Sequence, residues 1–139
     1  MESECLALVA GDAAGTVIRL DVPLSFWGGV DPSSGTIIDQ RHPQLGEDLT
    51  GRILVMAHSR GSSSSSGVLA ECIRAGTAPR AIIMNEPDII VMLGALVADE
   101  LYGTTCPVIV TDDVTFAALA TGDTVSVLDG GTTLRQSDP

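Results

Sequence analysis

Residues 59–67 read Ser-Arg-Gly-Ser-Ser-Ser-Ser-Ser-Gly, five consecutive serines (62–66) behind Arg60 and Gly61. Such a stretch can be a flexible tether, an anion-binding loop, or a site where one hydroxyl takes a proton. A Gly/Ser tether belongs between two segments that each fold alone. Here the run follows "RILVMA" (52–57), a continuous apolar run that reads as a strand covered on both faces. It leads into "SGVLAECIRAGTAP" (66–79), where Leu69, Cys72 and Ile73 fall at helical spacing and Gly76 and Pro79 supply stop signals. Those flanks argue against a tether and leave a loop that opens a helix.

The first N–H groups of a helix lack internal partners, and the helix dipole puts partial positive charge there. Such an end receives anions readily. Serines let a ligand approach the backbone and add donors, while Arg60 contributes a full charge. The plainer alternative is that one serine caps the helix, worth ~1 kcal/mol, and the others are solvated. A cap, however, uses one serine and not five behind Arg-Gly. A serine acting as base or nucleophile needs activation, usually by histidine. His58 lies four residues before Ser62, but closeness on a strand end does not impose contact, and His42 lies upstream. No Gly-x-Ser-x-Gly elbow with a later histidine is present, so a hydrolase triad is not supported. The loop N–H groups and Arg60 could instead stabilise an alkoxide at Ser62. Walker-type phosphate binding fails, because the chain has no lysine.

The elements that must position this loop can be read around it. "RAIIMNE" (80–86) reads as a second buried strand, "PDIIVMLGALVADELYG" (87–103) as a second helix, and "PVIVT" (107–111) as a third strand. A strand–helix–strand–helix–strand order predicts parallel pairing with right-handed crossovers. At the amino end, "CLALVA" and "GTVIRL" flank the turn signal "GDAAG", which predicts a hairpin. "VDPSSGTIID" predicts a turn between two extended pieces, and "RHPQLGEDLTG" a loop. The alternating tail "TGDTVSVLDGGTTLRQ" predicts a hairpin returning to the β-rich part. Together they predict one α/β domain over residues 1–139, a β-rich portion joined to a central βαβαβ unit.

Two weaker features stand beside the loop. Trp27, the only tryptophan, precedes Gly28 and Gly29, which allow close backbone approach by a ligand or equally a tight bend. "NEPD" puts Glu86 and Asp88 at a strand end that faces the ligand crevice in open α/β sheets, where solvated acids are also common.

Composition bounds the partners. The 139 residues are 45% hydrophobic but only 3% aromatic, so Val, Ile, Leu, Ala and Met must build the core. A formal charge of −11 argues against nucleic acid and anionic membrane surfaces. The amino end carries acids before a short apolar run, unlike a secretory signal, and a cytoplasmic protein is expected. Cys5, Cys72 and Cys106 are far apart in sequence, which predicts buried free thiols and no metal knuckle.

Taken together, "WGGVDP", "GTIID" with "HP", "GR" leading to "RGSSSSS", and "LGALVA" resemble the small subunit, or swivel domain, of the aconitase X family, from about Ser25 to Ile109. The resemblance implies a swivel domain of β/β/α layers. It implies a hydro-lyase whose iron–sulfur cluster is held by a large partner subunit, with none bound by this chain alone. It also implies that a serine directly after a glycine at a helix start accepts the proton, which here is Ser62 after Gly61. Arg60, Gly61, Ser63 and Ser64 are the expected substrate contacts, and Gly28 and Gly29 are candidates for lining the site. Ordinary aconitases carry an arginine directly after Gly-Ser-Ser, where this chain has Ser64, so an anchoring role for Arg60 does not follow from the motif. Bacterial members act on cis-3-hydroxy-L-proline and archaeal ones on mevalonate 5-phosphate. The polyserine loop followed by "VLAECIRAGTAP" resembles the bacterial type. The competing expectation is an anion-binding or interaction module that does no chemistry.

Overall fold

The short aliphatic runs form the centre of a curled sheet. The computed structural model describes residues 1–137. Strands β1 (Glu2–Glu4), β2 (Leu6–Val9), β3 (Ala13–Arg19) and β4 (Ile53–Val55) precede helix α1 (Ser65–Ala75). Strand β5 (Ala81–Met84), helix α2 (Ile89–Tyr102), strand β6 (Val108–Val110) and the short helix α3 (Asp113–Ala117) follow. Strands β7 (Thr124–Leu128) and β8 (Thr133–Gln136) close the order. The strands lie side by side as β1-β8-β7-β3-β4-β5-β6-β2.

β4, β5 and β6 pair in parallel, with Ile53 opposite Ala81 and Ile83 opposite Ile109. β4 and β5 are wholly buried, which explains why their sequences show no alternation. The βαβαβ unit is therefore as expected, and β3 extends it by pairing in parallel with β4. β3 also pairs antiparallel with β7, and β7 with β8, so the tail hairpin forms as expected.

Two apolar cores define the layers. One, with Leu54, Ile82, Leu69, Ala95 and Ala98, lies between the parallel strands and helices α1 and α2. The other, with Ile53, Ile83, Val125, Val127 and Leu134, lies between the parallel strands and the antiparallel β1-β8-β7-β3 portion. This is the β/β/α arrangement. Helix α2 crosses α1 closely because position 94 is glycine: a Cβ there would stand 2.8 Å from the Ser66 carbonyl oxygen.

The amino-terminal hairpin does not form. β2 pairs antiparallel with β6, and β3 pairs with β4 and β7. The intervening "GDAAG" spans between strands instead of turning tightly. Gly11 lies against Pro107 and Thr105, and the Asp12 carboxylate accepts the Gly130 N–H at 2.7 Å. Helix α3, started by Asp112 accepting the Thr115 N–H at 2.7 Å, was not foreseen from the sequence. No helix among the described residues is long and apolar enough to cross a membrane.

Candidate active site

The serine loop leaves the C-terminal end of β4 and climbs to the start of α1. The five serines divide into two groups. Ser65 is buried, and its Oγ accepts the Trp27 N–H at 3.0 Å and lies 3.0 Å from the Ser25 hydroxyl. Ser66 donates its hydroxyl to the Ile90 carbonyl at 2.7 Å. These two hold α1 against the Trp27 turn and α2. Ser63 and Ser64 are exposed and Ser62 half-buried, so three hydroxyls remain at the surface of the loop.

Ser62 occupies a particular place among them. Its Oγ accepts the Ser64 N–H at 3.1 Å, and its carbonyl accepts the Ser65 N–H at 3.0 Å. Ser64, which precedes the helix, makes no side-chain cap. Among the described residues, the N–H groups of Gly61, Ser62 and Ser63 donate to no protein acceptor. Gly61, at φ +90°, turns the backbone so that these groups follow one another at the positive end of α1. Arg60 is exposed and joins no ion pair among the described residues, while its N–H donates to the Leu24 carbonyl at 3.1 Å. The arrangement can bind an anionic group and stabilise negative charge on the Ser62 oxygen.

The loop is anchored at its other end by a residue whose role the sequence did not disclose. The Ser59 N–H and hydroxyl both donate to Asp88 Oδ2, at 2.7 and 2.6 Å. Asp88 Oδ1 accepts the N–H groups of Ile90 and Val91, at 3.0 and 3.1 Å, and so caps α2. Burial opposes its charge, yet these four hydrogen bonds outweigh burial and hold the carboxyl below the usual carboxylate range. Aspartate just before "IIVMLGALV" signals the cap; its second partner, 29 residues upstream, leaves no local trace. Glu86 is exposed.

The Trp27 turn meets the loop through Ser65. Gly29 is required by the turn itself, since a Cβ there would stand 2.0 Å from the Ser25 carbonyl oxygen. Gly28, at φ +74°, is exposed with open space around it. Trp27 is 60% exposed. Both histidines serve the backbone. His58 Nδ1 lies 2.6 Å from the Ser59 carbonyl, and His42 bonds the Gln44 N–H and the Val22 carbonyl.

No group of three or more His, Cys, Asp or Glu suited to a metal ion occurs among the described residues. The thiols are dispersed and kept protonated by burial, most strongly at Cys106, which is pushed up to about 12. These cysteines do not fit an iron–sulfur cluster within this chain. A separate groove of about 540 Å³, lined by Asp12, Thr50, Arg80, Thr105 and Cys106 among others, opens near the N-terminal ends of β4 and β5, away from the serine loop.

Fold and loop together define an α/β domain of β/β/α layers that presents a serine-bearing helix start at the C-terminal end of parallel strands. Residues 2–135 match the family model described as the aconitase X swivel domain, and the chain belongs to that family. It is 50% identical over 101 residues to a cis-3-hydroxy-L-proline dehydratase of Pseudomonas aeruginosa, covering 73% of this chain and 17% of that protein. It is 39% identical over 98 residues to the phosphomevalonate dehydratase small subunit of Methanothermobacter thermautotrophicus, covering 70% and 75%. The chain thus spans about one-fifth of the curated cis-3-hydroxy-L-proline dehydratases it matches, 17% and 21%. Its fold superposes on the crystal structure of Thermococcus kodakaraensis aconitase X in its holo-form with a TM-score of 0.88, at 33% identity and 99% coverage of both chains.

Proposed function

We propose that residues 1–139 act as one swivel-type unit, the small subunit of a cytoplasmic, iron–sulfur-dependent hydro-lyase. Its substrate would be a small hydroxy acid, cis-3-hydroxy-L-proline foremost, and Ser62 its proton acceptor. The observation that carries this reading is the Ser62 hydroxyl just ahead of α1, beside the Gly61, Ser62 and Ser63 N–H groups and the Arg60 guanidinium, none of which has a protein partner among the described residues. A serine hydroxyl is a weak acid, and those groups favour its deprotonated form. The Ser62 oxygen takes the proton from the carbon next to the one that bears the leaving hydroxyl. The C–H electrons become the new double bond, the hydroxyl departs as hydroxide, and release of the proton from Ser62 turns it into water and restores the base. Ser63, Ser64 and Gly61 hold the substrate carboxylate, and Arg60 balances its charge. A cluster carried by the large partner chain would supply the Lewis acid for the departing hydroxyl.

The relative at 50% identity supports cis-3-hydroxy-L-proline as the substrate. The second reading is a phosphomevalonate dehydratase small subunit, supported by a relative aligned over 75% of its own length. Assaying the chain, assembled with its large partner, against 3-hydroxyproline and phosphomevalonate decides between them. Ser62→Ala in that complex is expected to lose ~10²–10⁴-fold in kcat, the range of a general base, with assembly intact. Near-normal turnover would remove Ser62 from the mechanism and favour the anion-binding module.

A further inference from the structure

We infer that Asp88 is a positioning residue for the serine loop: one carboxylate binds the loop's first residue through one oxygen and the start of α2 through the other. The inference rests on the reading of Ser62 as the proton acceptor. The geometry is two-sided. Asp88 Oδ2 receives both donors of Ser59, and Oδ1 receives the N–H groups of Ile90 and Val91. An ordinary cap would need the second pair only.

The loop has few other fixed points before Ser62. The Arg60 N–H reaches the Leu24 carbonyl, and the Gly61 N–H has no protein acceptor among the described residues. Beyond Ser62, the Ser65 and Ser66 hydroxyls fix the far side. Ser62 therefore lies between the Ser65 and Ser66 ties and the 59–60 segment, which Arg60 on Leu24 and Ser59 on Asp88 hold together. If the tie to Asp88 is lost, the Ser62 oxygen shifts relative to the helix start that charges it. Misplacement by about 1 Å costs ~10²-fold in rate.

The substitution Asp88→Asn separates the two jobs. Its Oδ1 can still accept from Ile90 and Val91, while its amide presents N–H groups to the Ser59 N–H, where an acceptor is needed. In the complex with the large partner chain, kcat should fall ~10–100-fold. KM should stay within about threefold, because the loop's direct ligand contacts remain. Amide hydrogen exchange should accelerate at Ser59 and Arg60, whose N–H groups are hydrogen-bonded, and stay unchanged at 90–92. A role confined to capping would reverse that exchange pattern and leave the kcat of the folded enzyme unchanged. Either result would overturn the inference.

If Asp88→Asn does not fold, Ser59→Ala carries the test, since it keeps the backbone bond and loses the hydroxyl one. A severalfold loss of kcat with faster exchange at Ser59 and Arg60 is expected, and unchanged values of both would overturn the inference. Ser62→Ala run alongside separates the two readings. Full activity in that variant removes the proton-acceptor reading, and with it the catalytic meaning of the tether. Loss of activity in Ser62→Ala, with Asp88→Asn normal in rate and exchange, removes the tether alone.

Discussion

Helices α1 and α2 leave the same ends of neighbouring parallel strands, yet their starts are built in opposite ways. The start of α2 is closed. An aspartate takes two of its N–H groups and sits below the usual carboxylate range while doing so. The start of α1 has five cap-competent serines available and still makes no side-chain cap at Ser64. Ser65 and Ser66 point elsewhere, into the Trp27 turn and the Ile90 carbonyl, and only the Ser62 hydroxyl turns back to accept one N–H. One helix closes its start with a carboxylate, and ahead of its neighbour the Gly61, Ser62 and Ser63 N–H groups have no protein acceptor among the described residues. A closed helix start steadies the fold, and an open one is where negative charge can be received.

Several substitutions test that contrast. The largest effect is expected for Ser62→Ala, measured as kcat in the assembled enzyme. Next comes Asp88→Asn, read by kcat and by hydrogen exchange in the loop. Ser64→Asp would put an acid before α1 at the position that Asp88 holds before α2. Thermal unfolding should then hold or rise by up to ~1 kcal/mol of helix stabilisation, while turnover and small-anion binding are lost. A rise in stability with retained turnover would break the comparison. Gly94→Ala forces apart the two helix starts that lie against each other. It should cost ~1–3 kcal/mol in a denaturant titration, as overpacking does. The smallest effect concerns thiols far from both starts: in the native chain Cys5 should react with an aromatic disulfide reagent before Cys72 and Cys106. All three should react after unfolding, because burial keeps the latter two protonated and shielded.

The parts of the fold that the sequence disclosed are those where the signal is local. β4 and β5 are covered on both faces, so their runs are unbroken, and the turns of α1 and α2 end at Gly76 and Gly103 in left-handed conformation. The amino-terminal segments misled because an apolar run, a turn signal and another apolar run look alike whether the strands pair with each other or with distant partners. Here β2 finds β6, some hundred residues away, with Leu6 opposite Val110. In the site, the serine loop was legible from its flanks, and the choice of Ser62 came from the family resemblance. What stayed hidden were the side-chain ties: Ser65 to Trp27 and Asp88 to Ser59 each join segments whose nearness is a product of the fold. A solvated acid and a tethering acid have the same letter in a sequence.

Residues 2–9 bond to both ends of the strand order, β1 to β8 and β2 to β6. In this molecule one short peptide covers two sheet edges at once. Removing it would leave a body with two different adhesive rims. Objects with a single adhesive rim stop at pairs, whereas those with two can add to one another without limit. Loss of residues 2–9 is therefore expected to favour open-ended association of the domain before it touches the serine loop.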